Sequence, residues 1–113
     1  MKKLLALALL SFAASAADLE TRSYQVQITS HCDEGEVSCD QVVYQGKSKK
    51  SGKTITLEGS SWHTLCADGV TPCRFLGYQF KNGDTTYYVR DDGLLQVIRG
   101  RQVLVSEQGE WHQ

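Results

Sequence analysis

Phe75-Leu76-Gly77-Tyr78-Gln79-Phe80-Lys81-Asn82-Gly83-Asp84-Thr85-Thr86-Tyr87-Tyr88-Val89-Arg90 decides the fold. Asn82-Gly83 stands between two runs of β-forming residues. The central positions of a tight hairpin turn take positive φ, which Asn and Gly tolerate. With Asn82 and Gly83 at those positions, Phe80 faces Thr85, Tyr78 faces Tyr87 and Leu76 faces Val89 on a mainly apolar face. The opposite face pairs Lys81 with Asp84, Gln79 with Thr86, Gly77 with Tyr88 and Phe75 with Arg90. Tyr88 then shields the bare backbone of Gly77.

The same pattern extends in both directions. Asp91-Asp92-Gly93 reads as a three-residue turn that keeps Leu95 and Val97 on the face of Val89 and Tyr87. Gly100 marks a further turn into a strand over 102–106. A bulged turn there holds Val103 and Val105 on the face of Val97, following the buried pattern. Upstream, 23–30 alternates strictly, with Tyr24, Val26 and Ile28 on one face. Strands follow over 41–45 and 54–58, separated by a lysine-loaded turn over 46–53. A break at Gly59-Ser60-Ser61 precedes a strand over 62–66. No stretch of ten residues has helical periodicity. The sequence predicts an all-β fold: a small antiparallel meander of about seven strands, closing as a barrel or a sandwich and stapled by two disulfides.

All four cysteines lie in two loops of one design, Cys32-x6-Cys39 and Cys66-x6-Cys73, each with an acid-glycine pair after its first cysteine. A duplicated unit and two independent solutions of one turn problem both fit this likeness. Three pairings are open. The local pairs Cys32–Cys39 and Cys66–Cys73 are the expectation, because glycine and polar residues let each loop bring its own ends together. Closing an eight-residue loop stabilises by about 2.5 kcal/mol in the chain-entropy account. Structural zinc uses cysteines two to four residues apart, which is not the spacing here.

Residues 1–16 read as a secretory signal peptide. Lys2 and Lys3 give a positive start, an apolar run follows to Phe12, and Ala14-Ser15-Ala16 is a small-residue cleavage site. The run is far shorter than the roughly 20 residues of a membrane span, and no cysteine near the site offers a lipid anchor. Residues 17–113 are then one domain, exported to the periplasm or medium, soluble, not lipidated and monomeric. The precursor carries 12 basic and 13 acidic residues. Losing Lys2 and Lys3 makes the product more acidic, which argues against nucleic acid as a partner. An exported chain of this size relies on disulfides to supplement a modest core.

Catalytic chemistry finds little purchase. His31 and His63 flank the cysteine loops and His112 lies at a fraying end. Copper or zinc on His31, His63 and Asp68 needs side chains that nothing in the sequence brings together. Redox thiols favour C-x-x-C spacing. Asp33-Glu34-Gly35-Glu36 lacks the alternating acids of an EF-hand calcium loop. No catalytic residue, metal site or cofactor is predicted.

The binding candidates fall in two places. The outward face of the Asn82-Gly83 hairpin collects Phe75, Gln79, Tyr88, Arg90 and Gln96, and aromatics and arginine recur at interface hot spots. The turn with Lys47, Lys49 and Lys50 offers charge to anionic surface polymers in a salt-sensitive way.

Phe80-Lys81-Asn82-Gly83 resembles the aromatic-to-Lys-Gly strand of the periplasmic inhibitors of c-type lysozyme, a family of small β-barrels presenting loop residues to the lysozyme cleft. The block 66–78 resembles small exported proteins of Gram-negative bacteria to which no activity is attached. The serine-glycine loop of the lysozyme inhibitors has no counterpart in this chain, so no functional residue is carried over. The resemblance implies a binding module, an inhibitor or immunity protein acting on a cell-wall hydrolase or toxin. The other reading is an envelope-associated structural protein, or a periplasmic metal-binding protein.

Overall fold

The computed structural model describes residues 15–32 and 36–112. Among these, nine strands form one antiparallel sheet: β1 (Ser15–Glu20), β2 (Tyr24–Ser30), β3 (Val42–Ser48), β4 (Thr54–Leu65), β5 (Pro72–Asn82), β6 (Thr85–Arg90), β7 (Leu94–Arg99), β8 (Gln102–Gln108) and β9 (Glu110–His112). The order is β8-β7-β6-β5-β4-β3-β2-β1-β9. Since β8 and β9 follow each other in the chain yet end opposite sides of the sheet, the sheet curls into a nearly closed barrel.

The alternation that marked the strands also fills the interior. Val26 and Ile28 from β2, Val42 and Tyr44 from β3, Leu57 from β4, Phe80 from β5, Val89 from β6, and Leu95 and Val97 from β7 form the core with Leu19 from β1. The Tyr44 ring lies 5.3 Å from those of Phe80 and Tyr87, on strands that are not its neighbours in the sheet. Both cysteine pairs are the local ones, Cys32–Cys39 and Cys66–Cys73, with Cα atoms 5.7 and 5.0 Å apart.

The hairpin that decided the fold is displaced by an even step. Asn82 pairs with Thr85, so the central turn residues are Gly83 and Asp84 rather than Asn82 and Gly83. Gly83 has φ 65°, and glycine in the first central position is one of the favoured two-residue turns. Phe80 now faces Tyr87 and Tyr78 faces Val89. A slip of two leaves the side chains paired from Gly77 to Arg90 on their expected faces, whereas a slip of one would have reversed them all.

The three-residue turn at 91–93 holds, with Leu95 opposite Val89 and Val97 opposite Tyr87. At Gly100 the expectation is half met. A plain two-residue turn pairs Val103 with Ile98, and the bulge comes one step later, returning Val105 to Val97. Val103 is accordingly exposed. The supposed break at Gly59-Ser60-Ser61 is continuous strand, and Gly59 is needed there because a Cβ would strike Gln79 O and the Phe80 ring. The lysine turn is also shorter than expected, as Gly46, Lys47 and Ser48 belong to β3.

The strands beyond the expected seven are β1 and β9, and they close the barrel. Of the expected export signal, residues 1–14 lie outside the described residues, while Ser15 and Ala16 pair with Ser30 and Thr29 at the start of β1. Glu20, Leu19 and Asp18 pair with Glu110, Trp111 and His112. His112, expected at a fraying end, is thus tied into the sheet. Leu19 is 1% exposed, a burial that contributes up to about 1.5–3 kcal/mol. Gly109 joins β8 to β9, its amide donating to Gly93 O at 2.8 Å. A Cβ at Gly109 would lie 2.6 Å from Glu20 O and 2.8 Å from Thr21 Cγ2. Gly109→Ala is expected to cost about 1–3 kcal/mol in urea unfolding, the usual range for overpacking. A loss below about 0.5 kcal/mol, typical of an indifferent surface site, would show that this crossing is loose.

Candidate functional site

The feature that departs from a plain barrel is an arm. β3 accompanies β4 only from Thr54 to Gly59, and β6 accompanies β5 only from Gly77 onward. Beyond these points His63–Leu65 and Pro72–Phe75 pair with each other, and no other described strand flanks them. An isolated two-stranded hairpin is marginal in water, so the arm needs bracing. At its base Ser61 N donates to Cys39 O at 2.7 Å, and Cys39 N donates to Ser61 Oγ at 2.8 Å. On the other edge Asp91 N donates to Leu76 O at 3.0 Å.

The tip is locked twice over. The Cys66–Cys73 bond closes it, and Asp68 folds back onto its own loop. The Asp68 carboxylate accepts from Val70 N and Thr71 N, each at 2.9 Å, and from the Thr71 hydroxyl. Those bonds, led by the Thr71 hydroxyl, lower its pKa from 3.8 to about 2. Leu65 and Val70, 59% and 78% exposed, stand on this constrained end.

Each side of the arm base carries an aromatic file. On the outward side the Trp62 and Tyr88 rings lie 4.9 Å apart, and the Arg90 guanidinium sits 5.9 Å from the Trp62 ring centroid. Such a stack contributes about 0.5–1 kcal/mol at an exposed site. Asp92 Oδ2 holds Arg90 Nε from the other side at 3.6 Å. Gln79, Tyr88 and Gln96 form one cross-strand row beside them. On the opposite side the core runs out along the arm: Phe75 lies 5.3 Å from Tyr78 and 5.4 Å from His63.

Four of the five hairpin residues singled out by sequence therefore share a face: Gln79, Tyr88, Arg90 and Gln96. Phe75 does not. Trp62 pairs with Gly77 but His63 with Phe75, and this irregularity beside Leu76 turns Phe75 to the other side. Its expected partner Arg90 faces Gly77 instead, and Tyr88 faces Gln79. Trp62 takes the place expected of Phe75. Its position beside a strand glycine was the available signal, and the assumed break at 59–61 concealed the register that puts it there.

The lysine turn does not gather three free cations. Lys49 Nζ donates to Glu20 Oε2 at 2.7 Å and Thr21 O at 2.8 Å, and this bond and charge lower the Glu20 pKa. Lys47 lies on β3 opposite Gln25 and Thr54, and Lys50 is exposed in the turn. His63 packs edge-on against Phe75, Asp68 is engaged by its own loop, and Asp33, Glu34 and Gly35 lie outside the described residues. Among the described residues no group of three or more His, Cys, Asp or Glu is placed to hold a metal ion, and no helix is long and apolar enough to cross a membrane.

Comparison with protein-family models, curated proteins and solved structures gives no match.

The Asp68 bonds fix a pH response at the tip. A folded pKa below the unfolded value means a contribution fully present above about pH 4 and lost as pH falls through about 2. In an NMR titration the Val70 and Thr71 amide shifts should hold steady through pH 3.8 and move with a midpoint near 2. A midpoint at the ordinary carboxylate value would mean the loop is open in solution.

Proposed function

We propose that this chain is an exported, non-catalytic binding module that presents its disulfide-locked arm to a cleft on a protein of the cell envelope. The observation that carries this is the constrained tip holding Leu65 and Val70 in water. Ordering a flexible loop on binding costs about 0.5–1.5 kcal/mol per immobilised side chain, and a loop fixed beforehand avoids much of that cost. Apolar side chains on such a support suit insertion into a concave surface.

The outward file adds a second contact zone. Trp62, Tyr88 and Arg90 are of the types that dominate interface energetics, and Gln79 and Gln96 give it a polar margin. The paired cysteines agree with an oxidising compartment, and the charge balance gives no reason to invoke nucleic acid. An inhibitor or immunity protein against a cell-wall hydrolase or toxin is the reading in keeping with a preformed convex arm and with the likeness drawn from sequence. Attachment to anionic polymers through the lysine turn is the weaker alternative, because Lys49 is already engaged within the fold.

The test is capture from an envelope extract by the immobilised, oxidised protein at low and high salt. A stoichiometric protein partner retained at high salt is expected. Val70→Asp and Trp62→Ala should each weaken its capture by about tenfold or more, the scale of an interface hot spot, with little change in melting temperature. Retention of salt-labile polymer alone, or capture unaffected by both substitutions, would contradict the reading.

A further inference from the structure

One end of the barrel holds a cavity of about 200 Å³, away from the arm, lined by Tyr24, Tyr44, Lys53, Ile55 and Tyr87 with Gly46 at its floor. Tyr44 is 2% exposed. Its ring lies back along its own strand over Gly46, where a Cβ would come within 2.6 Å of the phenol oxygen. The bare glycine therefore makes room for that hydroxyl and brings it to the cavity. Burial, with the nearby Tyr87 and Tyr24 phenols, pushes its pKa well up, so it remains a neutral donor. Among the described residues no side chain or backbone group hydrogen-bonds it, although a buried hydroxyl normally has a partner.

The lining dictates the chemistry of an occupant. Tyr24, Tyr87 and Ile55 are walls for a flat apolar body. Lys53 at the rim forms no ion pair among the described residues and supplies positive charge there. The volume is below the roughly 300 Å³ at which sites for drug-sized ligands begin, which leaves room for a single ring. We propose that this end of the barrel binds a small aromatic acid, with its ring between the tyrosines, its carboxylate toward Lys53 and a polar group at the far end meeting the Tyr44 hydroxyl. This site is independent of the arm and of the binding-module reading.

4-Hydroxybenzoate is the probe, followed by amide NMR of the oxidised protein, with benzoate and 4-hydroxybenzylamine as comparators. Saturable shifts are expected at Gly46, Ile55 and Tyr87 with a dissociation constant of about 1 mM or tighter. Benzoate should bind more weakly, and the amine, with its charge reversed, should not bind. Tyr44→Phe should weaken 4-hydroxybenzoate about tenfold, the worth of one hydrogen bond. Removing an unpartnered hydroxyl should leave the melting temperature unchanged or higher. The proposal is overturned by linear, unsaturated shifts up to about 10 mM, roughly ten times that constant. It is equally overturned by equal binding of the amine, by undiminished binding to Tyr44→Phe, or by a markedly lower melting point for that variant, which would reveal a structural partner for the hydroxyl.

Discussion

The short ladder between β1 and β9 is the constraint on which the rest of the structure depends. Among the described residues three pairs join the two strands, and they convert a meander with two open sides into a nearly closed barrel. The ladder is reinforced where the chain crosses. Glu107 Oε1 accepts from the Thr21 hydroxyl at 2.8 Å and from Ser23 N at 3.0 Å. Partial burial works against its charge, but the donors of Ser23 and Thr21, with the charge of Arg22, prevail and lower its pKa. Trp111 Nε1 donates to Asp91 O at 3.0 Å, tying the last strand to the β6–β7 turn. Leu19 fills the seam. A seam open here would expose the edge of β1 and, beneath it, the interior around Ile28 and Val26.

Closure also explains why the arm stands apart. Once the sheet has curled, β4 and β5 are longer than the barrel is tall, and their surplus has no neighbour to pair with. An unsupported hairpin end would fray, so the two disulfides fall where the need is greatest. Cys66–Cys73 closes the tip, and Cys32–Cys39 positions the backbone that grips Ser61 at the base. The twin cysteine loops are therefore not equivalent in role, despite their matching pattern. One shapes the projecting end and the other braces its root.

Much of this was legible in the chain. Alternation in β2, β5, β6 and β7 named the core, because one face of each strand is buried and the period of two is unmistakable. The local disulfides followed from loops that can turn on themselves. β1 was hidden because its start overlaps the small residues of an apparent cleavage site, and β9 because three residues carry no periodicity. Both are defined by long-range pairing that no local pattern reports. The outward face was mostly legible, since its members alternate with the core. Phe75 was misplaced by an irregularity beside Leu76 that adds one residue to β5 and so reverses the side Phe75 faces. Trp62 was missed for the complementary reason, as a glycine that permits close packing was read as a break. The Tyr44 cavity had no sequence signal apart from Gly46, which resembled a turn residue.

The most direct test of this architecture is native-state amide hydrogen exchange across the whole domain. Amides that open only with global unfolding mark one cooperative unit, and those that open separately mark a loosely attached piece. If the β1–β9 ladder closes the barrel, the hydrogen-bonded amides of β1 and β9 should exchange with the same opening free energy as those around Tyr44 and Val89. The arm from Trp62 to Phe75 should show lower but measurable protection that vanishes when Cys66–Cys73 is reduced. Rapid exchange of β1 and β9 beside a protected β2–β7 core would contradict the account, because the barrel would then stand without its seam.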